Sequence, residues 1–365
     1  MALAGGAVLA GPAPAQTVGP SGYETGYAQG YWLVGGGGGV FSFGSASYQG
    51  RGRYPTPSCG YAGACVSTDG MSAPPVGIAA MSKASGYWLG AKDGTVYGIG
   101  KGQNSWPAAN FHPAAPIAGI AAAATGGYWL AGADGGVFSG NAPFYGSAEP
   151  DHPSAPIVAI AATPDGAGYW LLGADGGVFS FGDAGYHGRA VYDPVTCYGA
   201  CAAPSPLPPP EQYSAAQPVG MASTPDGGGY WIAQSDGAVL AFGDAESLST
   251  EQAQRTRAPI VGLTAAPTPP YCGASSGAPG SAQFVPAPPQ GYWLVGADGG
   301  VFSYGDAQFE GSAADERLVA PIVGMAAQPV SVACPATRRT RSAGSDAQLS
   351  GGGLRPRQQA ALGTE

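Results

Sequence analysis

Residues 155–188 read APIVAIAATPDGAGYWLLGADGGVFSFGDAGYHG, and four short strands account for them. An apolar run over 156–162 ends at Thr163-Pro164-Asp165-Gly166, a cluster of turn formers. Residues 169–174 form a second run, rich in aromatic and aliphatic side chains. Asp175-Gly176 predicts a two-residue type I′ hairpin, which needs positive φ at both positions. A third strand follows over 178–181 and closes at Gly182-Asp183. Residues 186–188 suggest a short fourth strand.

The same unit recurs along the chain. Gly-Tyr-Trp begins at Gly30, Gly86, Gly127, Gly168, Gly229 and Gly291. The second to fourth copies are 41 residues apart, and the other intervals of 56, 61 and 62 are one period plus an insertion. Asp93, Asp134, Asp236 and Asp298 each occupy the place of Asp175, with Gly37 there in the first copy. Asp244 and Asp306 repeat Asp183, with Ser45 and Asn141 in its place elsewhere. Four antiparallel strands per period, with no helical periodicity, is the signature of a propeller blade. The fold expected is therefore all-β: a six-bladed β-propeller with four-stranded antiparallel blades. First strands begin at Pro75, Pro116, Pro156, Pro218, Pro259 and Pro321, so the chain opens on a Gly-Tyr-Trp strand and ends on a first strand. Residues 321–327 are expected to pair into the first blade, which would close the ring and remove its sheet edge.

GYWLLGADGGVFSFGDA resembles the GYWLV-x-x-DGG-hydrophobic-FSFGDA repeats of secreted actinobacterial proteins, over residues 30 to about 328. The resemblance implies a propeller, in some members beside cell-wall or extracellular hydrolase domains, and supplies no catalytic residues to carry over. The second copy departs from the pattern at Lys92-Asp93-Gly94-Thr95-Val96-Tyr97.

Composition bounds the class further. Only 10% of residues are charged, while 64 glycines and 35 prolines make a chain that would read as low-complexity if it had no period. The net charge is −9, and the five arginines of residues 335–365 against two acids give that tail +3, leaving −12 for the rest. An acidic body repels nucleic acid and anionic lipid, so neither is an expected partner. Residues 1–15, MALAGGAVLAGPAPA, read as the remnant of a signal peptide, with Ala13-Pro14-Ala15 fitting a cleavage site. Residues 16–29 are then a leader, 30–334 the propeller and 335–365 a disordered tail. No apolar run is long enough to span a membrane. An extracellular, monomeric protein is expected.

Three insertions interrupt the period, at 51–73, 190–217 and 268–290. The first two are expected on one face of the ring and the third on the other, and loops of this kind carry function more often than scaffolds do. Cys59 with Cys65, and Cys197 with Cys201, read as small disulfide loops in a secreted chain. Cys272 and Cys334 each lie 13 residues after an equivalent proline, Pro259 and Pro321, so a disulfide across the closing seam is expected.

No catalytic constellation is legible. His112, His152 and His187 show no spacing that converges on a metal, and no cofactor is implied. Turn chemistry explains the hairpin aspartates. The repeat tryptophans belong to interior strands, whereas Trp106 stands outside the pattern and is the one candidate for ligand contact. These features favour a non-catalytic extracellular binding module for a glycan or a protein. The alternatives are a glycan-active hydrolase or lyase, marked by paired carboxylates near the central opening, and a purely structural surface protein.

Overall fold

The computed structural model describes residues 17–18, 24–25, 28–52, 70–81, 85–100, 112–192, 211–214, 216–248, 256–268 and 288–330. The six cysteines, Trp106, the signal-peptide residues 1–15 and most of the three insertions lie outside the described residues. The chain divides into two units, Met1–Cys334 and Pro335–Glu365, and the second is also outside them.

The first unit is all-β, built on six three-stranded antiparallel sheets. Each sheet has an inner, a middle and an outer strand, taken in that order from its repeat. The inner strands are Pro75–Ala80, Ile117–Ala122, Ile157–Ala162, Pro218–Ser223, Ile260–Ala265 and Ile322–Ala327. The middle strands are Gly30–Gly35, Gly86–Ala91, Tyr128–Gly132, Gly168–Gly173, Gly229–Gln234 and Gly291–Gly296. The outer strands are Val40–Gly44, Val96–Gly100, Val137–Gly140, Val178–Gly182, Val239–Gly243 and Val301–Gly305.

Ile322–Ala327, the last of these in sequence, pairs with Gly30–Gly35, the first, as the repeat order predicts; Ala327 lies opposite Tyr31 and Ile322 opposite Gly35. We number the sheets one to six from the one these strands share.

The middle strands are buried on both faces because each is sandwiched between neighbouring sheets, which is why they read as continuous apolar runs. Their Trp–Tyr dipeptides knit sheet to sheet. Trp32 meets Tyr87, Trp88 meets Tyr128, Trp129 meets Tyr169, Trp170 meets Tyr230, and Trp231 meets Tyr292, with ring centroids 5.2–5.5 Å apart. Trp293 of the sixth sheet meets Tyr31 of the first at 5.1 Å. These are tilted or edge contacts, the geometry aromatic quadrupoles favour.

Every inner strand carries a bulge near its start, for example between Ile260 and Gly262. Five of the six have glycine just after it. A Cβ on Gly324 would come within 3.2 Å of the Gly77 Cα, so adjacent inner strands approach too closely there for a side chain.

Three sequence expectations are corrected. Among the described residues the sheets have three strands, not four: residues 184–188 form no ladder. Side chains hold that segment instead, since the Trp170 indole N–H donates to the Gly185 carbonyl at 2.7 Å and the Tyr230 hydroxyl of the next sheet donates to the Gly188 carbonyl. With its carbonyls so engaged, the segment satisfies its backbone without pairing as a strand. The Asp-Gly turn is also not type I′. Gly176 has φ +86°, but Asp175 does not have positive φ. The Gly176 N–H bonds back to the Gly173 carbonyl, and the Gly173 N–H to the Gly177 carbonyl at 2.8 Å. Loop 174–177 is thus a turn followed by a left-handed glycine, and the Asp175 carboxylate accepts the Gly177 N–H at 3.0 Å.

Asn141 is likewise displaced from its expected place. Its φ of +55° puts it at the left-handed position of Gly182, which has φ +71°, and not at that of Asp183.

Two additions lie outside the repeat: Thr17–Val18 pairs with Glu24–Thr25, and Arg189–Tyr192 pairs in parallel with Glu211–Ser214.

Candidate functional site

All six inner strands contribute to one cavity of about 390 Å³. One tier of its lining is Ile78, Ile120, Ile160, Met221, Leu263 and Met325; the next is alanine in five strands and Thr264 in the other. Pro164, Thr224, Pro225, Pro267 and Thr268 extend the lining at one end, where the inner strands turn into the middle ones. The walls are methyl, thioether and hydroxyl groups with proline rings, groups that pack and hydrogen-bond.

Thr224 also holds a carboxylate pair that sequence reasoning did not single out. Its hydroxyl lies 3.0 Å from Asp226 Oδ1, 3.0 Å from Asp244 Oδ1 and 3.1 Å from the Gly229 carbonyl, while the Gly229 N–H donates to it at 2.9 Å. A hydroxyl has one proton to give. The two carboxylates therefore crowd a single donor. Burial and the neighbouring Asp226 push the Asp244 carboxyl above its ordinary value. Burial also pushes Asp226 up, but the Gly228 N–H, Asp244 and Thr224 outweigh it and hold Asp226 below. Thr163 repeats the arrangement one sheet earlier. Its hydroxyl donates to Asp165 at 2.9 Å, and the Ala167 N–H, Thr163 and Asp183 hold Asp165 low. The signal for both was the Thr-Pro-Asp-Gly tetrapeptide, read from sequence as a turn alone.

The hairpin aspartates do serve turns: Asp93, Asp134, Asp236 and Asp298 each accept a backbone N–H two residues on, at 3.0 Å. Burial raises Asp93, but bonds from Ser72 and Thr95 leave it below the ordinary carboxylate value.

The three histidines stay apart. His112 is exposed and lines a second cavity, about 410 Å³, with Lys92, Asp93 and Pro116. His152 is exposed and caps the 3-10 turn Glu149–Asp151 with φ +49°. His187 packs edge-on against Tyr230 at 5.5 Å. Among the described residues no group of three or more His, Cys, Asp or Glu is placed to hold a metal, and no helix is long and apolar enough to cross a membrane.

The outer surface carries a feature absent from the sequence reading. Tyr48, Phe144, Tyr186 and Phe309 are 57%, 59%, 52% and 61% exposed. They occupy one position of the repeat. In each case the preceding carbonyl (Ser47, Pro143, Gly185, Gln308) accepts the indole N–H of the same sheet's tryptophan, at 2.7–3.0 Å. In each case the carbonyl two residues later (Gly50, Gly146, Gly188, Gly311) accepts the tyrosine hydroxyl of the next sheet. The backbone is thus clamped on both sides of an outward-facing ring. Sequence could have shown it, since each ring sits two residues before a glycine in the segment read as a fourth strand.

Together these observations define an all-β repeat protein of six three-stranded antiparallel sheets with aromatic side chains displayed at a repeated position. No family profile matches the chain, and no curated protein sequence matches it. Among solved structures the chain is similar to YCF48 from Cyanidioschyzon merolae, with 13% identity, 76% of this chain and 79% of that chain covered, and a TM-score of 0.39.

Proposed function

We propose that the six sheets are the blades of one propeller, closed where the last strand completes the first sheet, and that this propeller is a monomeric, non-catalytic extracellular binding module. The Trp293–Tyr31 contact supports closure, because it repeats between the sixth sheet and the first the contact that joins every other neighbouring pair. The resemblance to secreted actinobacterial repeats supports an extracellular setting. The observation that carries the binding reading is the set of four half-exposed rings at one clamped repeat position. Large apolar side chains held out to water on a rigid frame are what recognition surfaces use.

One observation favours the alternative of a glycan-active hydrolase: Asp226 and Asp244 are pushed apart in acidity beside the cavity's end, a pattern that acid and base catalysts share. Their separation weighs against it. They interact directly as well as sharing the Thr224 hydroxyl, whereas glycoside hydrolysis needs carboxyl groups about 5 Å or more apart with the sugar between them.

Incubating the purified protein with isolated bacterial cell envelopes tests the reading. Saturable retention with no new reducing ends, acids or amines is expected. No retention, or turnover that follows the protein and disappears in Asp226→Asn, overturns it.

A further inference from the structure

We propose that Tyr48, Phe144, Tyr186 and Phe309 form a multivalent site for a neutral polysaccharide, each ring stacking on the C–H face of one pyranose. The proposal rests on the binding-module reading and names its ligand class.

Four features of the chain converge on it. First, the rings are exposed at one equivalent position, whereas surface apolar residues scattered singly would need no explanation. Second, each is mounted between two backbone clamps, so little conformational freedom is lost when a flat ligand face docks. Third, polar side chains adjoin the rings in sequence, Ser47 and Gln49 beside Tyr48 and Gln308 and Glu310 beside Phe309, and these supply the hydrogen bonds a sugar's hydroxyls require. Fourth, the chain outside its tail carries −12, as counted above, which disfavours polyanionic glycans and leaves neutral ones.

The arrangement of the rings adds a valency. Phe309 and Tyr48 belong to consecutive sheets, the sixth and the first, and Phe144 and Tyr186 to the third and fourth. The fifth sheet has Ser247 at the equivalent position, and the repeat register puts Asn104, outside the described residues, at that of the second. Two pairs of rings separated by polar positions suit a polymer, which offers many copies of one face, and repeated weak contacts then add through effective concentration.

Ser247 also supplies the test. Trp231 still donates to the Glu246 carbonyl at 2.9 Å without a ring beside it, so serine is compatible with the tryptophan clamp. Depletion isotherms on cellulose, chitin and starch would compare wild type with the variant carrying Tyr48→Ser, Phe144→Ser, Tyr186→Ser and Phe309→Ser. Wild type is expected to bind at least one of these polymers, and the variant to bind it at least about tenfold more weakly while melting as wild type does. The ring-conserving Tyr48→Phe, Tyr186→Phe variant is expected to stay within about twofold of wild type. Should the fourfold variant melt early, the two paired variants, Tyr48→Ser with Phe309→Ser and Phe144→Ser with Tyr186→Ser, are each expected to weaken binding. Equal binding by the ring-deleted variants, or no binding of wild type to any of the three polymers, overturns the proposal. If wild type ignores all three yet is retained saturably on envelopes, the binding-module reading stands and this one falls.

Discussion

Tyr230→Phe and Tyr128→Phe delete the same atom at the same position of two repeats, and only the first is expected to cost stability. The Tyr230 hydroxyl donates to the Gly188 carbonyl and accepts the His187 N–H at 3.2 Å. Its ring is fully buried, and burial pushes its pKa up to about 12. Phenylalanine fills the same volume, so packing is kept and only hydrogen bonding changes. It leaves one buried carbonyl and one amide without their partner, at about 1–3 kcal/mol each. A loss of about 2–6 kcal/mol would lower Tm by about 3–9 °C for a domain of about 300 residues. The Tyr128 hydroxyl is also buried, and its pKa is also pushed up to about 12 by burial, but it has no partner among the described residues. No hydrogen bond among the described residues is lost with phenylalanine there, so Tyr128→Phe is expected to be neutral or to stabilise by about 1 kcal/mol. Thermal melts of the two variants beside wild type decide the matter. Equal destabilisation by both, or an unchanged Tm for Tyr230→Phe, would refute the view that these hydroxyls act as clamps on the neighbouring sheet's outer segment.

Asp244→Asn is expected to stabilise slightly at about pH 7, by less than about 1 kcal/mol after solvent screening, and to have no effect near pH 3. The sign follows from the raised pKa. Folded Asp244 holds its proton above the ordinary 3.8, so its stability contribution is present at low pH and falls as pH climbs through that window. A stabilisation that persists unchanged at acid pH would contradict it. Gly176→Ala is expected to cost more than about 2 kcal/mol, because its Cβ would sit 2.1 Å from the Ala190 carbonyl oxygen at φ +86°. Gly39→Ala, with nothing within 4 Å of its Cβ, should instead raise stability by about 0.5 kcal/mol in a denaturant melt. A chain ending before Pro321 lacks Ile322–Ala327 and leaves one backbone edge of Gly30–Gly35 unpaired. It is expected to associate in light scattering, and a monodisperse monomer with wild-type Tm would count against closure.

The sequence by itself determined three strands of each repeat, the positions of the turns between them and the pairing of the last strand with the first sheet. These are local or periodic properties. Gly-Tyr-Trp runs and Asp-Gly turns repeat at fixed offsets, and an inner strand left over at one end matches a middle strand left over at the other. Residues 186–188 were misread because a short stretch with an aromatic after a turn looks like a strand wherever it lies. Whether it pairs depends on what already occupies its carbonyls, and those are taken by Trp170 and by Tyr230 of the next sheet. The type of the Asp-Gly turn was misread for a related reason, since the Asp175 carboxylate turns back onto the Gly177 N–H and lets the aspartate keep negative φ. The rest was decided in three dimensions. Asp226 and Asp244 are 18 positions apart in the chain, and only the antiparallel return of the outer strand brings both to Thr224. The display of the four rings also depends on distant groups, because their backbone is fixed by a tryptophan of the same sheet and a tyrosine of the next. Local preference sets an element's type, but burial, acidity and display depend on which distant groups the fold delivers to the same place.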